Sequence, residues 1–384
     1  MKGHIRQRGK DAWAIVLYLG TDAHGKKRQK WHTVHGSKKD AERELRRLLH
    51  EMDTGSYVEP SKMTVGDFLE QWLSTYVATQ TTASTQRRYA GSIRQHLIPG
   101  LGGIPLTKLH PQDIQGLYAR LLTEGNMKHP GGLAPATIAL QHRTLHAALD
   151  QAVKWQLLAR NPADAVSPPR IVRPEIHVLD EEQTIALLAG AQNSKYFIPI
   201  LMAVTTGMRR GEVLALRWED VDLEAGLIIV RRSLEQVNGK LTFKEPKTRR
   251  SRRSVRLPEM TVTALKRHRK QQAEWRLVRG PEYHDQDLIC AQPDGKPLSP
   301  LALTQGFGRL VKRLHIPMRF HDLRHTHATL LLRQGINPKI VAERLGHASI
   351  GTTMDLYSHV LPDMQEESVR KLDEALGKAK VRAK

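Results

Sequence analysis

Ten residues near the middle of the chain, Val166 to Glu175, read VSPPRIVRPE. Pro168, Pro169 and Pro174 remove backbone donors and fix φ, and no apolar period of 2 or 3.6 runs through the stretch, so neither helix nor sheet strand can cross it. It reads as an extended linker, assigned to residues 164–175. A chain of 384 residues with such a break folds as separate bodies on either side.

On the carboxy-terminal side, the span Met318 to Tyr357 reads MRFHDLRHTHATLLLRQGINPKIVAERLGHASIGTTMDLY. Apolar residues recur at helical spacing from Thr326 to Arg333 and from Pro338 to Leu345, with Gly335 and Gly346 as stops. Four polar side chains stand out in this text. His321 and Arg324 are three apart at a helix start, so both can face one point. His347 follows the second helix, and Tyr357 lies ten positions later on another short helical segment. Such a set suits an anionic substrate, because arginine offers a planar fork of donors that matches phosphate oxygens, and Tyr357 is the candidate nucleophile.

The set H-x-x-R, L-G-H and Y resembles the C-terminal signature of the tyrosine recombinases, the integrases of temperate phages and conjugative transposons. That family also carries an arginine in a T-G-x-R context and a lysine on a β-hairpin. Thr206-Gly207-Met208-Arg209 and Lys247 match these here. Glu212 lies three residues after Arg209, on the same helical face, and is expected to orient its guanidinium. Lys247 sits in the densest basic cluster of the chain, with seven basic residues and one acid from Lys244 to Arg256; Arg249 and Arg250 beside it are candidate DNA contacts.

The resemblance implies a site-specific DNA recombinase, an integrase that cleaves and rejoins DNA. Tyr357 would attack the scissile phosphate to give a 3′-phosphotyrosine and a free 5′-hydroxyl. Arg209 and Arg324 would hold the non-bridging oxygens, His321 would manage the tyrosine's proton, Lys247 would protonate the leaving oxygen, and His347 would hydrogen-bond a phosphate oxygen. A covalent intermediate retains the phosphodiester energy, so no cofactor, metal or ATP is expected. The expected partners are double-stranded DNA attachment sites, other copies of the chain in a homotetramer on DNA, and an excisionase or DNA-bending accessory protein.

Charge agrees with a polyanionic partner. There are 60 Lys and Arg against 39 Asp and Glu, a formal charge of +21. No apolar run approaches the ~18 residues that span a membrane, and the start MKGHIRQRGK has no apolar core of a secretory signal, so a cytoplasmic protein is expected. Cys290 is the single cysteine, which excludes an internal disulfide and any multi-cysteine zinc site.

The amino-terminal side reads as two pieces. Residues 1–58 hold two β-prone runs, Trp13 to Leu19 and Gln29 to Val34, and then a helix that Ser37 and Asp40 can cap. With 13 basic and 7 acidic residues, this piece resembles the arm-type DNA-binding domain of phage integrases, and Lys26, Lys27, Arg28 and Lys30 are its candidate contacts. Residues 62–163 read as all-helical: one helix capped by Thr64 and Asp67, a second stopping before Pro99, a third from Pro111 to Leu122 and a fourth from Pro135 to Leu158. This piece resembles the core-binding domain, with Arg87, Arg88, Arg94, Lys128, His142 and Arg143 as phosphate contacts. Residues 176–384 form the catalytic domain and its tail, expected to carry a three-stranded antiparallel sheet from Leu227–Ser233, Leu241–Lys244 and Ser254–Leu257. The fold class is therefore α+β and multidomain: a small sheet with one helix, an all-α domain, and a mainly α domain with a small antiparallel sheet.

Three other readings compete. A type IB topoisomerase uses the same cleavage chemistry but has no use for an arm-type module. A non-catalytic DNA-binding regulator would explain the charge but gains nothing from Tyr357. His321 and His325 have the i, i+4 spacing of a zinc protease, yet Asp322 replaces the usual glutamate, no third ligand is evident, and Arg324 would set a cation beside the metal.

Overall fold

A computed structural model of the chain describes residues 3–21, 25, 27–54, 58, 61–126, 130–172, 177–245, 252–347, 349–357, 369–370 and 372–373. It divides into two compact units, residues 1–173 and 174–384. No helix among the described residues is long and apolar enough to cross a membrane.

The first unit opens with an antiparallel sheet, β1 (Gly3–Gly9), β2 (Ala12–Thr21) and β3 (Lys27–His35), in the order β1-β2-β3. Helix α1 (Lys38–Asp53) starts at the expected capping box, with Ser37 and Asp40 exchanging hydrogen bonds. Ile5, Ile15, Leu17 and Val34 pack on Leu45, Leu48, Leu49 and Met52 of that helix. Strand β1 is an addition to the two expected strands, because its alternation GHIRQRG carries only one large apolar residue. Period 2 turns His4 and Arg6 to the face opposite Ile5, which these exposed residues share with exposed Trp31 and Thr33.

The helical part of this unit has its own core, built on Phe68, Trp72, Ile93, Leu97, Tyr118 and Leu149. Helix α2 (Val65–Trp72) begins at the Thr64–Asp67 box and continues through a π turn, Leu73–Val77, into α3 (Ala78–Gln80). Helix α4 (Ala83–Ser92) likewise passes through a π turn, Ile93–Leu97, into α5 (Ile98–Leu101). The helix therefore does not stop before Pro99. The π turn widens the backbone ahead of the ring, which would otherwise meet the carbonyl four residues back. Helices α6 (Pro111–Glu124) and α7 (Pro135–Lys154) complete the bundle, α7 ending before Gln156, whose φ is 58°.

In the second unit, α8 (Glu181–Ala191) is capped by Asp180, and α9 (Phe197–Thr206) is apolar on all sides. Such a helix must be central, and Ile200, Leu201, Met202 and Ala203 are buried. After α10 (Arg210–Leu214) come β4 (Val221–Asp222), β5 (Leu227–Val230), β6 (Ser233–Val237), β7 (Lys240–Lys244) and β8 (Arg253–Arg256). The expected single three-stranded sheet is instead two sheets. The run from Leu227 breaks after Val230, where Arg232 turns aside to pair with Asp220 at 2.9 Å and Glu219 at 2.6 Å. Strands β6 and β7 form a hairpin through Asn238 and Gly239, both at positive φ (51° and 81°), and β8 pairs with β5 in the order β4-β5-β8. Helices α11 (Glu259–Arg279), α12 (Pro300–Arg313), α13 (Asp322–Arg333), α14 (Pro338–Leu345) and α15 (Ile350–Tyr357) follow, and α13 packs chiefly on α9.

Candidate active site

The T-G-x-R run is the exit from α9. The Thr206 hydroxyl donates back to the Met202 carbonyl and accepts from the Met208 amide. Gly207 caps the helix at φ 65°, and a Cβ there would stand 2.5 Å from Leu345 Cδ2 and 2.6 Å from His327 Cδ2. Only glycine meets both demands. The chain then reverses so that Arg209 becomes the N-cap of α10, where its amide and its Nη1 both donate to the Glu212 carboxylate at 2.9 Å. The expected Arg209–Glu212 pair is thus formed, with Glu212 buried and Arg209 partly open.

Arg324 stands in the first turn of α13, where it is 3% exposed. Its Nη1 donates to the Gly207 carbonyl and its Nη2 to the Leu345 carbonyl, both at 2.8 Å. His321 is the N-cap of the same helix. The end of α14 ties the arginines together. Its carbonyls lack intrahelical partners, as at every helix C-terminus. Leu345 accepts from Arg324, Gly346 from Arg209 at 3.4 Å, and Arg344 from the Arg253 Nε at 2.7 Å. Three consecutive carbonyls therefore carry three guanidiniums. His347 follows directly, with Nδ1 at 2.8 Å from the Thr353 hydroxyl on α15. Tyr357 is the last residue of α15, and its side chain lies outside the described part of the structure.

A second layer supports the first. Arg344 donates Nε to His327 Nε2 at 3.0 Å and Nη2 to the Thr205 and Arg256 carbonyls. Arginine can only donate, so His327 Nε2 accepts and its Nδ1 carries the proton given to the Val204 carbonyl. Burial, with Arg344 alongside, accordingly pushes the His327 pKa down to about 3.

The same cations set the state of the other histidines. Burial first, then Arg324, lowers the His321 pKa, with Arg209 and Arg210 adding to the effect and Asp322 opposing it. Burial and the surrounding arginines push His347 down to about 4. Both rings are neutral near pH 7 and able to accept a proton or a hydrogen bond. Burial works against ionisation of Glu212, but the donors of Arg253 and Arg209 outweigh it and hold the carboxyl below its usual range.

The remaining candidates fall elsewhere. Lys247, Arg249, Arg250, Lys26 and Lys128 lie outside the described residues, and the side chain of Arg28 does as well. Lys244, a rival of Lys247, is paired with Glu235. Lys27 and Lys30 lie on β3, and Arg87, Arg88 and Arg143 are exposed on α4 and α7. Arg94 is held bidentately by Glu70 at 2.8 Å, and His142 faces the Tyr118 hydroxyl at 3.0 Å. Among the described residues, the one group with metal-ligand character is His146, Asp150 and Asp164, remote in sequence from the i, i+4 histidines. Its carboxylates approach opposite ring nitrogens, Asp164 at Nε2 at 2.8 Å and Asp150 at Nδ1 at 3.1 Å. Sequence reasoning missed Arg253, Arg344 and His327, whose partners are distant in the chain.

Residues 177–364 match the phage integrase family, and residues 64–122 match the phage integrase N-terminal SAM-like domain. The chain is 28% identical to the tyrosine recombinase XerC-like of Caldanaerobacter subterraneus subsp. tengcongensis, over 97% of this chain and 98% of that protein. It is 30% identical to the ICEBs1 integrase of Bacillus subtilis (strain 168), over 69% of this chain and 73% of that one. Among solved structures, the Tn1549 transposon integrase in complex with transposon right end DNA shares the fold, with a TM-score of 0.68 at 24% identity, covering 82% of this chain and 100% of that chain.

Proposed function

This chain belongs to the phage integrase family and is a tyrosine-type site-specific recombinase that integrates mobile DNA, and from that premise we propose how its residues divide the work. Tyr357 attacks the scissile phosphorus, forming a 3′-phosphotyrosine as the bond to the 5′-oxygen breaks. Arg209 and Arg324 hold the non-bridging oxygens and offset the charge that grows on them. Neutral His321 receives the tyrosine's proton, Lys247 supplies the proton that the leaving 5′-oxygen needs, and His347 hydrogen-bonds a phosphate oxygen. The 5′-hydroxyl of a second DNA then reverses the step. The observation that carries this reading is the seating of both arginines on the carbonyls that end α9 and α14, with His347 directly after α14 and His321 at the start of α13, the helix that carries Arg324.

Two duplexes exchange four strands, and each chain has one nucleophile, so four copies act together on the attachment sites. An excisionase or DNA-bending protein sets the direction of the reaction, in the host cytoplasm. Residues 62–163 grip the core site, the linker 164–175 lets them and the catalytic domain of residues 176–384 close on opposite faces of the duplex, and residues 1–58 bind separate arm sites. The open face of the amino-terminal sheet supports the last assignment, because exposed Arg6, Trp31 and Thr33 combine a phosphate-seeking cation with groups that contact base edges. Removing residues 1–58 is expected to leave cleavage of a core site intact and to abolish integration between full attachment sites. Integration at the full rate by the truncated protein would refute the arm-binding role.

Lys247 is tested by its own chemistry. Arginine is a poor acid because its pKa exceeds ~12, and Lys244 is already paired, which leaves Lys247 as the acid of this cluster. Lys247→Ala is expected to cleave ordinary DNA slowly but to cleave DNA with sulfur at the 5′-bridging position nearly as fast as wild type, since sulfur leaves without a proton. An equal defect on both substrates assigns Lys247 to phosphate binding.

A further inference from the structure

Arg253 has no role in the scheme above, yet it is among the most tightly held cations in the second unit. Its side chain is 6% exposed. Nη2 donates to Glu212 Oε2 at 2.8 Å, Nη1 to Oε1 at 3.2 Å, and Nε to the Arg344 carbonyl at 2.7 Å. The same two carboxylate oxygens receive Arg209, Oε2 from its amide and Oε1 from its Nη1. Glu212 is thus shared by a buried arginine behind and a partly open arginine in front, with two donors on each oxygen.

We propose that Arg253 is a positioning residue for the transfer step: by fixing Glu212 it sets where the Arg209 guanidinium points, and so where a non-bridging phosphate oxygen is held. This rests on the phosphate-binding role given to Arg209. A carboxylate with a single arginine could swing toward it, whereas one clamped from both sides cannot. Arg253 also closes the space behind the site. A Cβ on Gly346 would stand 3.1 Å from Arg253 Cδ and Nη1, so the α14 turn, at φ 68°, and the guanidinium are fitted to each other. Burial keeps Arg253 from the phosphates themselves. Because β8 begins at Arg253, close after Lys247 in the sequence, the clamp also ties the start of that strand to the Arg209 pocket.

The test is a double-mutant cycle in the full chain, read as the single-turnover rate of covalent complex formation on a nicked core-site DNA, together with the affinity for that DNA and its salt dependence. Arg253→Lys keeps the charge but can reach Glu212 or the Arg344 carbonyl, not both. It is expected to slow cleavage about 10- to 100-fold with affinity and salt slope unchanged, as for a misplaced contact rather than a lost one. In an Arg209→Ala background, already slowed about 10²- to 10³-fold, the same change is expected to cost little more. On DNA whose scissile phosphate is an uncharged methylphosphonate, the Arg253→Lys deficit is expected to shrink, because there is no anionic oxygen to hold. A full deficit in the Arg209→Ala background or on the methylphosphonate reduces Arg253 to a fold-supporting residue and overturns the proposal, as does a loss of one unit of salt slope, the mark of a direct phosphate contact. If Arg209→Ala itself cleaves at the wild-type rate, the role of Arg209 fails, and that of Arg253 with it.

Discussion

Tyr357→Phe is expected to bind core-site DNA with near-wild-type affinity and to form no covalent complex at all. Only one oxygen atom is removed. The ground-state complex is dominated by contacts between basic side chains and phosphates, to which a neutral hydroxyl adds little, whereas the transfer step has no nucleophile without it. The aromatic ring itself remains, so the substitution removes no carbon atom. Nicked suicide DNA, from which the cleaved strand diffuses away, accumulates the wild-type adduct and makes the comparison sharp under denaturing electrophoresis. A covalent band from the Phe variant would mean that another residue is the nucleophile.

Arg324→Ala is the second large effect. Loss of one donor aimed at the developing charge costs about 2.7–4 kcal/mol of transition-state stabilisation, or roughly 10²- to 10³-fold in rate. Stability should fall as well, because the change strands the Gly207 and Leu345 carbonyls in a place where Arg324 was 3% exposed. Each buried acceptor left without a donor costs about 1–3 kcal/mol. Arg324→Lys separates the two effects: it keeps the charge, can serve only one of the two carbonyls, and loses the planar fork. A thermal melt together with single-turnover cleavage is expected to place the Lys variant between wild type and Ala on both axes. Cleavage by Arg324→Ala within ten-fold of wild type would remove Arg324 from the catalytic set.

The parts of the site that were legible in the sequence are those held by local spacing. Arg209 and Glu212 meet because they are three apart at a helix start, and the same spacing sets His321 and Arg324 in the first turn of α13, where the arginine's charge acts on the ring. The capping boxes at Ser37 and Thr64 are local in the same sense. Arg253 was not legible. In the run RRSVR it looks like one more solvated charge, and its partner Glu212 lies 41 residues earlier. Arg344 likewise reads as an ordinary basic residue in the last turn of a helix, although it reaches the Thr205 carbonyl 139 residues away. Pairing of β8 with β5 escaped notice because an intervening hairpin, β6–β7, takes the neighbouring strands for itself. What periodicity cannot supply is the tertiary closure that brings two helix ends and one strand to a single point.

Those two helix ends carry a further consequence. Each C-terminus presents roughly half an elementary negative charge, so α9 and α14 together supply about one unit, comparable to the single charge of a phosphodiester. Arg209, Arg253 and Arg324 can therefore stand assembled on one turn of backbone, with the Glu212 carboxylate supplying the rest of their countercharge. If Arg209 and Arg324 hold the scissile phosphate as proposed, that phosphate would compete with backbone dipoles that cannot move away, which would keep the ground state from becoming too deep. On that proposal, discrimination would shift toward the pentavalent state, whose extra charge the dipoles cannot imitate.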